Sequence, residues 1–271
     1  MGKIKLACET YTWQMPGEAY KGQLDHIMGV ISKAGFEGIE AETSFFGELS
    51  DPIRMRESLN KYGLDLTALC YVEDWKNIKE TAEERRNADK WITFLEHFPE
   101  TIFLLVQMPG ADRKNLEERQ RNLLSCVNHI AERASEKGIN CSYHPNSPQG
   151  SIYRTEEDYK ILLNGLDNRF IGYTPDVGHM AKVGMDPLSI IKKYRELVNL
   201  VHYKDMYNNG QWAQTGEGVI GFQKITKYLM DTDYNGWIVM EDECDLSITD
   251  PDGVTLIDGK YIKSHIHTLL K

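Results

Sequence analysis

The chain has 271 residues, a formal net charge of -10, 41% hydrophobic and 27% charged residues, with no basic cluster of the kind that phosphate-backbone binding requires. No apolar run approaches the roughly 20 residues that cross a bilayer, and the opening MGKIKLACETY lacks the apolar segment of a secretory signal. The five cysteines are odd in number and form no CxxC pair, so they read as free thiols of a cytoplasmic protein.

In chain order, residues 4–9 form a strand that stops at an acid. Residues 23–34 place Leu24, Ile27, Met28 and Ile31 at helical spacing, and Gly35 ends that helix before a strand over 38–42. Lys61-Tyr62-Gly63 ends the next helix before a strand over 64–72. Helical patterns over 82–98 and 116–136 flank a strand over 102–108, and Lys137-Gly138 leads into a strand over 139–144. Strands over 170–176 and 200–204 follow, and Asn235-Gly236 precedes a last one over 237–242. Strands that alternate with helices imply parallel crossovers, and eight such units without a GxGxxG turn predict a single (β/α)8 TIM barrel domain over residues 1–271.

Four of these strands stop at a metal-competent or acid/base side chain: His144, Asp176, His202 and Glu241. Catalytic groups of a (β/α)8 barrel gather at the C-terminal strand ends. Side chains two apart share a strand face, which pairs His202 with Lys204, Glu241 with Glu243, and Thr174 with Asp176. Two imidazoles and two carboxylates suit a divalent ion of borderline hardness, Mn, Zn, Co or Fe, better than Mg, which prefers oxygen ligands.

The order and spacing of Asp176-Val177-Gly178-His179, His202-Tyr203-Lys204-Asp205, Gly216-Glu217-Gly218 and the strand ending Val239-Met240-Glu241 resemble the xylose-isomerase-like TIM barrels. That superfamily includes sugar isomerases and epimerases, inosose dehydratases and endonuclease IV. The resemblance runs over nearly the whole chain and is most specific from residue 138 to 243. It implies that Asp176, His202 and Glu241 ligate metal and that His179 contacts substrate or a metal-bound water. The fourth family ligand is usually a glutamate ending the fifth strand. Here Tyr143-His144-Pro145 puts His144 in its place, a variant nearer the inosose dehydratase branch.

The expected activity is isomerisation or epimerisation of a sugar, keto-sugar or cyclitol through a metal-stabilised enediolate. A dehydratase or lyase is the alternative that His144 raises, and a ligand-binding barrel without catalysis is a remote one. An endonuclease-IV-like enzyme is disfavoured by the acidic charge and by the absence of early-strand histidines. Glu241 is the candidate for combined ligation and proton transfer, His144 ligates and can move protons near neutral pH, and Lys204 stabilises an oxyanion or protonates a leaving hydroxyl.

Trp13 either stacks on a sugar face or packs the barrel rim. Glu40 and Glu42 share a face, with Glu40 a candidate for substrate hydroxyls; Gln107 ends an apolar strand with an amide, and Asn146 is a further candidate contact. Arg154 either meets an anionic group or pairs on the surface. Glu73-Asp74-Trp75 reads as a solvated loop, and His26, His97, His129, His265 and His267 read as structural or solvent-facing. Residues 243–261 form an unusually long connection containing an Asp-Pro-Asp-Gly turn, placed to cover the site or to join a homo-oligomer.

Overall fold

The computed structural model describes residues 3–270; Met1, Gly2 and Lys271, which the single-domain expectation includes, lie outside the described residues. In chain order the regular elements begin β1 (Ile4–Glu9), α1 (Leu24–Ala34), β2 (Gly38–Glu42), α2 (Pro52–Tyr62), β3 (Asp65–Glu73), α3 (Ala82–Leu95), β4 (Ile102–Gln107), α4 (Leu116–Ser135) and β5 (Cys141–His144). They continue with α5 (Glu156–Gly165), β6 (Ile171–Tyr173), α6 (Val177–Lys182), α7 (Pro187–Lys193), β7 (Val201–Tyr203), β8 (Asp205–Met206), β9 (Trp212–Ala213), α8 (Phe222–Asp231), β10 (Gly236–Met240) and α9 (Pro251–Tyr261).

The described residues fall into two compact units, 3–67 with 201–270, and Ala68–Leu200. In the first, parallel strands run in the order β2-β1-β10-β7, with Glu9 opposite Glu40, Cys8 opposite Met240 and Val239 opposite His202. In the second, the order is β3-β4-β5-β6, also parallel, with Glu73 opposite Gln107 and Val106 opposite His144. These registers align the C-terminal ends of neighbouring strands within each unit, which is where the acids and imidazoles stand.

The helices start and stop where local chemistry dictates. Asp51 caps α2 through the amides of Ile53 and Arg54, with Pro52 in the first turn, and Gly63 ends the helix in the left-handed conformation that glycine tolerates. Thr81 and Glu84 form a capping box on α3, and Thr155 and Asp158 form one on α5. The apolar stripe of α1, Leu24, Ile27, Met28 and Ile31, is buried, each such side chain contributing ~1.5–3 kcal/mol on burial.

Three differences from the sequence expectations have clear causes. The strand expected over 170–176 pairs only through Tyr173, because Asp176 leaves the ladder to cap α6. The segment 243–261 is not a loop. Its Asp-Pro pair starts a helix, since Asp250 accepts the Gly253 amide and Pro251 takes the first helical position of α9. Trp75 is buried rather than solvated, held at φ 44° while its amide donates to Glu84 Oε1 at 3.2 Å.

All five cysteines are buried free thiols. Among the described residues no helix is long and apolar enough to cross a membrane. His97, His129, His265 and His267 are exposed as expected, and His26 pairs with Asp252 at 2.8 Å.

Candidate metal and substrate site

In the first unit, β1, β2, β7 and β10 deliver Glu9, Glu40, His202 and Glu241 to the same end of the sheet. The register explains the grouping: Glu9 faces Glu40, His202 faces Val239, and Glu241 lies two residues beyond Val239 on the same face. His202 Nε2 lies 2.9 Å from Glu40 Oε2, while its Nδ1 lies 3.4 Å from Glu241 Oε2 and 3.5 Å from Glu9 Oε2. Lys204 follows β7 on the His202 face. Its ammonium is buried, 2.5 Å from Glu241 Oε1, and also donates to Glu243 Oε1. The rings of Trp212 and Tyr11 flank it, with centroids 5.0 and 5.9 Å away.

Electrostatics here follow from crowding acids where water is scarce. Burial pushes the Glu9 carboxyl well up, and the charges of Glu241 and Glu40 add to the shift. Burial opposes a charge on His202, but Glu40 and Glu241 overcome it and raise the imidazole to about 10. Burial lifts Glu243 to about 7 against the pull of Lys204. Glu9 Oε2 and Glu40 Oε1 are buried without a hydrogen-bond partner among the described residues. Such a set of hard and borderline donors, in excess of its protein cations, fits a divalent ion.

The second unit carries its own group at the ends of β5 and β6. Asp176 is fully buried and accepts the His179 amide at 2.7 Å as the N-cap of α6. Its Oδ2 lies 3.5 Å from His144 Nε2 and 3.9 Å from His179 Nε2. The His144 and His179 rings meet edge to face at 5.6 Å, and His179 Nδ1 is 2.8 Å from Ser147 Oγ. Imidazole and carboxylate here are again metal-competent donors, buried and close together.

The structure redirects several expected substrate contacts. Glu40 is fully buried against His202 instead of standing free for substrate hydroxyls. Trp13 is fully buried and donates its indole N–H to Asp252 Oδ1 at 2.8 Å, so it packs the fold and presents no face for a sugar. The Gln107 amide donates to the Asp74 carbonyl at 2.7 Å, and Asn146 donates to the Gln107 carbonyl at 2.8 Å. These two amides therefore staple the loops after β3, β4 and β5. Arg154 turns inward, its Nε donating to the Ser147 carbonyl at 2.9 Å.

Other motif residues shape the rim of the first unit. Asp205 accepts the amides of Gly216, Gly218 and Ile220 at 2.9, 3.0 and 3.2 Å, which folds the Gly-Glu-Gly loop onto β8. A side chain at Gly218 would collide with that carboxylate, so the second glycine is a packing requirement. Glu9, Tyr11 and Trp212 are site residues that the sequence reading passes over. Glu9 carried a signal, since β1 stops at an acid like the other strands. Trp212 carried none, because the β8–β9 hairpin that presents it is only two residues a side.

The sequence model of the xylose isomerase-like TIM barrel family matches residues 29–264. The chain belongs to that family. It is 25% identical to an inosose dehydratase of Bacillus cereus (strain AH820) over 292 residues, 96% of this chain and 96% of that one. Among solved structures it is similar to the probable 3-DHS dehydratase AsbF, involved in petrobactin synthesis, from Bacillus anthracis, with TM-score 0.75, 15% identity, and coverage of 96% of this chain and 99% of that chain. It is also similar to the IOLI protein with a binding zinc atom, with TM-score 0.74, 14% identity, and coverage of 95% and 96%. The fold class expected from the strand–helix alternation, a (β/α)8 TIM barrel, is thereby borne out. The xylose isomerase-like match spans every strand-end residue from Glu40 to Glu243, whereas Glu9 and Trp13 precede it.

Proposed function

We propose that this protein is a divalent-metal-dependent dehydratase of a polyhydroxylated keto compound of the cyclitol or sugar type, with inosose as the leading candidate. His144, Asp176, His202 and Glu241 are its ligands in this reading, each within or just after the C-terminal part of its strand, where the barrel family carries its chemistry. The buried carboxylate excess of the first unit supports a bound cation, and the zinc atom of the IOLI protein supports a divalent one. Isomerisation or epimerisation was the first expectation from sequence. The observation that reverses the order is Lys204 on Glu241, an ammonium acid beside the proposed base, together with a histidine where epimerases place their second glutamate.

The ion, when bound, supplies a fixed positive charge for the oxygen that becomes anionic as the neighbouring C–H is deprotonated. Glu241 removes that α-proton. The β-carbon–oxygen bond then breaks, its electron pair leaving with the hydroxyl, and Lys204 gives that hydroxyl a proton to release water. A carbon–carbon double bond forms between the α and β carbons. Glu241 is left protonated and Lys204 neutral, and their 2.5 Å contact returns the proton to the amine for the next turnover. His179, whose Nδ1 lies 2.8 Å from Ser147 Oγ, is the candidate contact for a substrate oxygen, and Trp212 walls Lys204.

The test is incubation of metal-loaded protein with a panel of keto-cyclitols and keto-sugars in D₂O, followed by NMR. Loss of water with formation of an enone supports the reading. Deuterium incorporation without loss of water returns the isomerase or epimerase reading, and neither change overturns enolisation altogether.

A further inference from the structure

The chemistry of His202 depends on which ring nitrogen it offers. Its Nε2 lies 2.9 Å from Glu40 Oε2, hydrogen-bond distance, and Glu40 is fully buried on β2. Its Nδ1 points instead at the two other acids, 3.4 Å from Glu241 Oε2 and 3.5 Å from Glu9 Oε2. A metal-ligating imidazole characteristically donates its second N–H to a carboxylate, which fixes ring orientation and raises ligand basicity.

We propose that Glu40 is a positioning residue: it receives the Nε2 proton of His202, locks the ring, and leaves Nδ1 as the nitrogen that ligates the ion. The inference rests on the metal-site reading above. It assigns Glu40 an action through His202 and none on substrate. The strand setting suits the role, because Glu40 sits in the β1–β2 ladder opposite Glu9 and its carboxylate is placed by backbone pairing rather than by a mobile loop. Glu40 Oε2 is thereby engaged, and Glu40 Oε1 has no hydrogen-bond partner among the described residues. A substrate hydroxyl would have to enter a fully buried space to reach it.

Two measurements on the full-length protein test this. In the wild-type chain loaded with ¹¹³Cd²⁺, long-range ¹H–¹⁵N NMR of His202 should show cadmium coupling at Nδ1 and a proton on Nε2. Coupling at Nε2 would overturn the proposal without any variant. The second measurement titrates Co²⁺ into Glu40→Ala, Glu40→Gln and His202→Ala. Glu40→Ala should weaken Co²⁺ binding by about 10–100-fold and shift the visible bands, and Glu40→Gln should restore the native bands, because its amide oxygen still accepts from Nε2. Native affinity and bands in Glu40→Ala would overturn the role of Glu40. If His202→Ala also binds with native affinity, the metal-site reading itself fails, so the two failures are separable.

Discussion

The buried ammonium of Lys204 sits 2.5 Å from Glu241 Oε1, in an ion pair that also takes in Glu243. A fully buried lysine is costly unless paired, and this one is paired with the residue proposed as the base. Lys204→Ala should therefore reduce turnover by ~10²–10⁴-fold, the range of a lost general acid, while metal content stays native. Turnover and metal analysis on the same preparation check this. Unchanged turnover would remove Lys204 from the chemistry.

Asp176 has two jobs that one substitution separates. Its Oδ1 caps α6 through the His179 amide at 2.7 Å, and its Oδ2 lies near His144 and His179. Asparagine caps helices as well as aspartate does but brings no charge. Asp176→Asn should keep the melting temperature within a few degrees and lose most bound metal, read by calorimetry and elemental analysis.

Trp13 belongs to the fold in this structure, tied to Asp252 at 2.8 Å. Trp13→Phe keeps an aromatic ring but loses the N–H and part of the buried indole volume. It should destabilise the protein by about 1–3 kcal/mol, the net worth of a hydrogen bond plus a small cavity, and leave KM unchanged. A rise in KM with native stability would restore the stacking role.

Asp158 supplies an acid-dependent contribution to stability. The carboxylate is buried, yet amide hydrogen bonds from Thr155 and Arg154 and the charge of Arg113 outweigh desolvation and hold its pKa below the usual value. A depressed folded pKa means the stabilisation is present above the unfolded value, near ~3.9, and is lost as pH falls through the folded one. Asp158→Asn should therefore lower the melting temperature at pH 7, and the gap to wild type should narrow as pH drops below about 4. A gap independent of pH would show that packing, not charge, is what Asp158 contributes.

The strand ends were legible because each is a local pattern: a β-prone run, then an acid or imidazole. In the structure His144 ends β5 and Glu241 directly follows β10, whereas His202 lies within β7 and Asp176 lies three residues past β6 as the N-cap of α6. The pairing of Glu40 with His202 was not legible, since the two are 162 positions apart and meet only through the order β2-β1-β10-β7. The choice between stacking and packing for Trp13 stayed open for the same reason, its partner Asp252 lying 239 positions away. The α9 start was legible in principle: Asp250-Pro251 is a capping pair as well as a turn pair, and only its packing decides between them.

The most direct test is a metal add-back on chelator-stripped protein with a keto-cyclitol substrate. One divalent ion per chain should bind, and the rate of water loss should rise in proportion to occupancy and vanish in His202→Ala. Full-rate dehydration by the stripped protein, or none at full occupancy across the panel, would contradict the account.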